Sequence, residues 1–531
     1  MTVGEALVEL LSDYGVELVF GIPGTHSIEL YRGLGSGKIR HISPRHEQGG
    51  GFMADGYARV TGKPGVCFVI TGPGVTNIST PLGEAYMDSV PMLVISPVNI
   101  PDPNHYNRGR LHEITNQSAV TAPLAVYSAT VSEPDEIPRM IARAFAMFAS
   151  ERPGPVHISI PLPILPMRVD GRWSALTPPS PPIASDEEID LAVELIERAD
   201  QPIVIAGGGT SRCATEVIGL AEAIPCPILT TVAGRGVVPW SHPLSAGAQL
   251  RAPTVQILLE DADLAIFLGT EFAQPDLWND GLKLPSKQIW VNLNPGALKR
   301  DGDVLAIHAD AGNTASRISG KLPAINKATQ ERVSALCATS RDSHHRDMTA
   351  KQKKHWLVLT EMMKCLPEDA TIVSDMTQIA YTATEYLPLN RPNSWFHPTG
   401  YGTLGYALPA AIGAVLADQS KPALVLVGDA GLQYTIQEMT LVAELQLNIV
   451  ILLWNNNALQ QIHDDMDDAR IQPVGVNQQN PDFIALALAC GWQARIVASL
   501  SSLASDLQVA FNQTGPVLLR LDENLIPLQQ I

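Results

Sequence analysis

The stretch Ala423-Leu424-Val425-Leu426-Val427-Gly428-Asp429-Ala430-Gly431, answered by Ile449-Val450-Ile451-Leu452-Leu453-Trp454-Asn455-Asn456-Asn457, decides the fold. Each half is a compact apolar run ending in a polar turn, as a buried strand reads. Between them, 435–447 predicts a helix, because Ile436, Met439, Val442, Ala443 and Leu447 recur at helical spacing. Strand, helix, strand is a right-handed crossover, so the two strands are parallel neighbours. Asp429 and Asn456 then leave one sheet at the same carboxyl edge, where open α/β sheets bind ligands. A carboxylate and an amide oxygen converging there suit Mg²⁺, which keeps few protein ligands and draws its other oxygens from phosphates and water. The helix is expected to open just after Gly431 and to offer its first amides to a phosphate. Ala430 must carry a methyl group through this turn, which a negative φ permits.

Outward from this unit, two stretches divide the chain. Residues 165–185 contain Pro178-Pro179-Ser180-Pro181-Pro182 and end in a capping box, Ser185-Asp186-Glu187-Glu188. Residues 320–354 are charged, carry His344-His345 and read as a solvated face. A chain of 531 residues exceeds one core. The expected domains are 1–170, 185–325 and 350–531. All three alternate strands with helices, so the fold class is α/β with three parallel-sheet domains. Buried-strand runs fall at 66–70 and 92–96 in the first domain, and at 202–206, 227–231, 264–268 and 288–291 in the middle one. Gly207-Gly208-Gly209 invites a nucleotide-binding reading, but Arg212 stands at the last place of a GxGxxG pattern. A plain turn is the better reading there than NAD binding.

Hydrophobic content of 45% and charged content of 17% are those of an ordinary soluble protein. A net charge of −18 with no basic block argues against a nucleic-acid surface, although a local site can still take an anionic substrate. The six cysteines are scattered without a CxxC pair, which points to buried thiols in a reducing compartment. Glu5, Glu9, Asp13 and Glu17 lie along an amphipathic N-terminal helix unlike a signal peptide, and no apolar run reaches membrane-spanning length. A cytoplasmic location without a membrane partner is expected.

The Asp429/Asn456 pair in this spacing resembles the diphosphate and metal motif of thiamine-diphosphate enzymes, with Ala430 where that family usually has a second glycine. Four further phrases carry the resemblance along the chain: Gly21-Ile22-Pro23-Gly24, Arg45-His46-Glu47-Gln48, Gly72-Pro73-Gly74-Val75-Thr76-Asn77, and Gly402-Thr403-Leu404-Gly405. The resemblance is to the decarboxylase and acetolactate-synthase branch. It implies pyrimidine-binding, Rossmann-like middle and diphosphate-binding domains, and a homodimer or homotetramer with active sites between subunits. In such enzymes the cofactor's own aminopyrimidine removes the thiazolium C2 proton, and a carboxyl beside ring N1′ favours the tautomer that does so. The resemblance assigns that carboxyl to Glu47, with Asn77 in the companion motif. It gives Leu404 as the apolar wedge under the cofactor and the Gly402 carbonyl as acceptor for the 4′-amino group. Asp429, Asn456 and the Ala458 carbonyl would hold Mg²⁺, with Ala430, Gly431, Thr377 and Gln378 along the diphosphate.

The substrate class implied is a 2-oxo acid, which loses CO₂ and gives either an aldehyde or a carboligation product. The histidines that pyruvate and benzoylformate decarboxylases use are not matched here: Ile70 and Thr71 replace one, and the middle-domain loop has Asp276. Thr25 follows Pro-Gly, and His26 beside it is either the replacement proton carrier or a surface histidine. Gln461 and Asp465 stand where the substrate tail is expected, and Glu271 and Asp276 are acids on a middle-domain loop. Such carboxylates suit a guanidinium tail, unless Asp464, Asp465, Asp467 and Asp468 are only a solvated acidic run. His397-Pro398-Thr399-Gly400 and Ser374-Asp375-Met376-Thr377-Gln378 are also similar to 2-ketoarginine (5-guanidino-2-oxopentanoate) decarboxylases, which implies arginine catabolism. The alternatives are an acetolactate-synthase-like carboligase, in which FAD is possible though not favoured, and a non-catalytic paralogue.

Overall fold

The computed structural model describes residues 1–100, 108–247, 250, 252–278, 282–298, 302–323, 327–344 and 346–526. His345 and the last residues of the second and third expected domains lie outside them. The described chain forms three six-stranded sheets. In the first, β1 (Leu18–Gly21), β2 (Arg40–Ile42), β3 (Gly65–Phe68), β4 (Met92–Val98), β5 (Tyr127–Thr130) and β6 (Pro155–Pro161) run in the order β2-β1-β3-β4-β6-β5, all parallel. The middle sheet has β7 (Pro202–Ala206), β8 (Ile228–Thr230), β9 (Ser245–Gly247), β10 (Leu264–Leu268), β11 (Lys287–Val291) and β12 (Asp303–Ile307), ordered β12-β11-β10-β7-β8-β9. The third has β13 (Thr371–Ser374), β14 (Trp395–Phe396), β15 (Ala423–Gly428), β16 (Ile449–Asn455), β17 (Gln493–Ile496) and β18 (Val517–Asp522), ordered β14-β13-β15-β16-β18-β17. Its β15–β16 pair is parallel, with Gly428 opposite Trp454, as the two apolar runs require.

Strand order reverses between β1 and β3, between β7 and β10, and between β13 and β15. Such switch points open a crevice at the carboxyl edge. In the middle sheet the crevice is closed by the turn itself. A methyl group on Gly207 would lie 2.4 Å from the Gly269 carbonyl oxygen, and one on Gly208 would lie 2.9 Å from the Ala233 side chain. The three glycines therefore serve close packing of two turns.

The chain divides into two compact units. One comprises 1–179, 365–377 and 396–525; the other comprises 180–364 and 378–395. In the first unit, helix Glu47–Thr61 lies against helix Ala407–Ala417. A methyl on Gly56 would fall 2.0 Å from the Ala410 carbonyl oxygen, and one on Gly413 1.8 Å from that of Met53. Only glycine permits this approach, and Phe52, Met53, Tyr406 and Ala410 are completely buried around it. The second unit has its own core, with Phe267 stacked on Trp290 at 3.9 Å. Among the described residues no helix is long and apolar enough to cross a membrane.

Several local boundaries differ from expectation. The N-terminal helix is Val3–Asp13, so Glu17 lies beyond it; Gly15 at φ +80 ends the helical path. β3 stops at Phe68 rather than at residue 70. The capping box is present, with Ser185 Oγ accepting the Glu188 N–H at 3.2 Å.

Candidate active site

β13, β15 and β16 are neighbours, so Asp375, Asp429 and Asn456 emerge side by side at the third sheet's carboxyl edge. Asp429 is 2% exposed. Its Oδ1 accepts the Ala430 N–H at 2.8 Å, and its Oδ2 accepts the Asn456 N–H at 3.1 Å and Asn480 Nδ2–H at 2.7 Å. Asn457, whose N–H also donates to Oδ2, takes φ 59, a left-handed conformation that Asn tolerates. Asn456 Oδ1 accepts the Ala458 N–H at 3.2 Å, and Ala458 is buried where it bridges Asn477. One carboxylate thus organises the turn that brings Asn456 and Ala458 to it. Carboxylate, amide and carbonyl oxygens form a hard donor set of the kind Mg²⁺ takes. Among the described residues no group of three or more His, Cys, Asp or Glu gathers as a metal site, so the fit rests on these oxygens.

The helix after β15 departs from the single element expected. It begins at Asp429 itself and ends at Gln433, followed by a tight turn at Ile436–Glu438 and helix Met439–Leu445. Thr435, in the break, is buried and donates Oγ1–H to the Gly405 carbonyl at 2.8 Å. That tertiary bond overrides the local periodicity. Ala430 lies in the short helix without a positive φ. The flanking glycines are tighter: a methyl on Gly428 would sit 2.9 Å from Thr377 Oγ1, and one on Gly431 2.9 Å from Asp375 Oδ1. Thr377 therefore borders the turn, whereas Gln378 opens helix Gln378–Tyr386 in the second unit.

Asp375 is a residue the sequence reading did not single out. It is completely buried, and accepts the Met376 N–H at 3.0 Å and the Gly405 N–H at 3.2 Å on Oδ1, and the Ala407 N–H at 3.1 Å on Oδ2. Burial pushes its carboxyl up to about 6 against the opposing pull of these N–H groups. The signal was available, since Asp375 follows an apolar strand just as Asp429 does. Asn480, in a polar loop, gave no such signal. Asp375 fixes the turn that follows Gly402, at φ +70, and half-buried Leu404.

Thr25, His26, Glu47 and Asn77 follow strands of the first sheet at its carboxyl edge. Glu47 is the first residue of its helix, after the N-cap His46, whose Nδ1 accepts the Gln48 N–H at 3.1 Å. Glu47 Oε2 accepts Asn77 Nδ2–H at 2.9 Å. A methyl on Gly74 would stand 3.0 Å from Ile70 Cγ2 and 3.2 Å from Val69 Cβ, so the glycine serves the packing of the turn beside Glu47. His26 lies in the turn Thr25–Ser27 after β1; it is half-buried, and Thr25 beside it is exposed. Its ring meets that of His112 edge-on at 5.2 Å, and the Nδ1 atoms of both are buried without a hydrogen-bond partner among the described residues. Burial first, and then His112, lowers the His26 pKa.

The four proposed substrate residues divide between the units. Gln461 and Asp465 share helix Gln460–Asp468, where Gln461 Nε2–H donates to Asp465 Oδ1 at 2.9 Å and Asp465 is exposed. In the second unit, Glu271 Oε1 accepts Asn294 Nδ2–H at 2.6 Å, and Asp276 Oδ1 accepts the Val232 N–H at 2.9 Å.

Comparison with known proteins gives three matches in chain order. Residues 1–120 match the N-terminal TPP binding domain of thiamine pyrophosphate enzymes, 189–318 their central domain, and 375–521 their C-terminal TPP binding domain. The chain is 46% identical to the "Probable 2-ketoarginine decarboxylase" of Pseudomonas aeruginosa over 98% of this chain and 94% of that protein. It is 30% identical to the acetolactate synthase isozyme 1 large subunit of Escherichia coli, covering 99% of this chain and 95% of that one. Identity to the acetolactate synthase large subunit of Corynebacterium glutamicum is 31%, over 96% and 84% respectively.

Proposed function

The chain belongs to the thiamine pyrophosphate enzyme family, and from that premise we propose that it decarboxylates 2-ketoarginine to 4-guanidinobutanal and CO₂ in arginine catabolism. The observation that carries the reading is the pairing of two prepared edges. Buried Asp429 beside Asn456 closes one sheet, and Glu47 held by Asn77 stands over another. The likeness to the Pseudomonas protein named for 2-ketoarginine supports the choice of substrate. The domain division 1–170, 185–325 and 350–531, and a cytoplasmic homodimer or homotetramer, go with it.

Thiamine diphosphate, when bound, supplies the carbon nucleophile for the 2-oxo group and the electron sink for CO₂ loss. Asp429, Asn456 and the Ala458 carbonyl would hold Mg²⁺, and Thr377 with the backbone at Ala430 and Gly431 would border the diphosphate. Glu47 would hydrogen-bond the ring nitrogen of the cofactor's aminopyrimidine, with Asn77 keeping its carboxyl in place. His26, whose pKa is lowered by burial and then by His112, is the proton carrier of the site. Asp465 takes the guanidinium tail. A panel of 2-oxo acids assayed for CO₂ release tests the proposal. The expected result is preference for 2-ketoarginine over pyruvate and benzoylformate. Acetolactate formed from pyruvate as the main product would make the chain a carboligase instead.

A further inference from the structure

The segment 399–406 bears Gly402 and Leu404, yet most of its fastening comes from a different part of the chain. Three carboxylates of the N-terminal region hold it within the first unit. Asp88 accepts the Gly400 N–H at 2.8 Å and the Thr399 N–H at 3.3 Å. Asp55 accepts the Tyr406 hydroxyl at 2.6 Å. Glu84, in helix Ser79–Met87, accepts the Tyr401 N–H at 3.4 Å on Oε1, and the Thr403 N–H at 3.2 Å and Thr403 Oγ1–H at 2.7 Å on Oε2. Its two oxygens therefore grip the residues on either side of Gly402. Arg59 ties the acids together, with Nε 2.6 Å from Asp55 and a terminal nitrogen 2.8 Å from Asp88. Glu84 and Asp55 are completely buried. The approach is close: a methyl on Gly83 would lie 2.7 Å from the Tyr401 ring.

A buried acid surrounded by apolar residues is costly unless its acceptors are used. Here they are used on the one residue pair that fixes the φ +70 peptide at Gly402. We propose that Glu84 is a positioning residue for the cofactor's pyrimidine end, setting the Gly402 carbonyl by gripping Tyr401 and Thr403. The inference rests on the thiamine diphosphate reading of the site. It separates two tasks along one ligand: Asp429 and its neighbours serve the diphosphate end, and Glu84 serves the other end without touching either.

Glu84→Gln and Thr403→Val test the assignment by calorimetric titration with two probes, thiamine diphosphate and inorganic pyrophosphate, each with Mg²⁺. Thermal midpoints of the unliganded variants are measured alongside. Glu84→Gln should weaken thiamine diphosphate about tenfold, as expected when a buried donor loses its acceptor. Pyrophosphate affinity should stay within twofold of wild type. Thr403→Val, which removes one of the three bonds, should shift thiamine diphosphate in the same direction by less, and it decides the matter if Glu84→Gln does not fold. Equal losses for both probes, or none for either, overturn the proposal. A wild-type chain that binds pyrophosphate but not thiamine diphosphate overturns the cofactor reading, and the positioning role with it.

Discussion

Glu47 shows how little a single side chain needs in order to be prepared. Among the described residues its hydrogen-bond partner is Asn77, which holds one of its two oxygens. Glu47→Gln should therefore keep cofactor affinity, measured by titration, and lose turnover by roughly 10²-fold or more, the usual worth of acid–base catalysis. Activity within a few-fold of wild type would mean another group activates the cofactor. At the substrate tail, Asp465→Leu should lower kcat/KM for 2-ketoarginine by roughly 10- to 150-fold, the worth of a charge-assisted bond. An uncharged 2-oxo acid should lose much less in parallel assays. Equal losses on both would assign Asp465 to support of its own helix, where it already accepts a bond from Gln461.

Among the elements, the turns at strand ends carry more of the site than the helices do. Asp375 binds three backbone N–H groups of two such turns. In Asp375→Asn one oxygen becomes an N–H donor facing other donors. The variant should lose about 1–3 kcal/mol of stability, read from urea unfolding, because a buried group is left unpaired. No loss would show that the turns are held from elsewhere. The strands and the Asp429/Asn456 pair were legible in the sequence because apolar runs and strand ends obey short-range rules. The helix after β15 was misjudged because Thr435 answers to Gly405, a partner that no local pattern displays. Glu84 was equally hidden: its helix reads as an ordinary apolar one, and its ligands lie some 320 residues away.

For the molecule as a whole, buried acids and buried histidines pull stability in opposite directions with pH. Burial, then Asp88, pushes Glu84 up to about 8; burial pushes Glu438 to about 7 and Asp375 to about 6. Each holds a proton in the folded chain that the unfolded chain has released. Their contribution is present below the ordinary carboxyl range and lost as pH rises through these values. His157 and His355, lowered by burial to about 4 and about 3, act oppositely and cost stability below about 6.5. Between pH 6.5 and 9 the acids dominate, so the thermal midpoint should fall. The Glu84→Gln midpoint should rise relative to wild type over the same interval, because the amide cannot ionise. Scanning calorimetry at several pH values reads that difference, and a flat difference would mean Glu84 does not change charge there.

The grip of Asp55, Glu84 and Asp88 on residues 399–406 also has a meaning in time. During synthesis these acids, and the apolar face of helix Glu47–Thr61, leave the ribosome long before their partners exist. At about 5–20 residues per second the wait lasts some tens of seconds. Throughout it, the nascent chain displays Phe52 and Met53 and carries Glu84 without the Tyr401 and Thr403 groups it grips. A chain ended at residue 364 should therefore remain in that waiting state and sediment as aggregate on expression. Co-expression of 365–531 should restore solubility, as judged by centrifugation of the lysate. Completion of the N-terminal third is, in this protein, one of the last events of its birth.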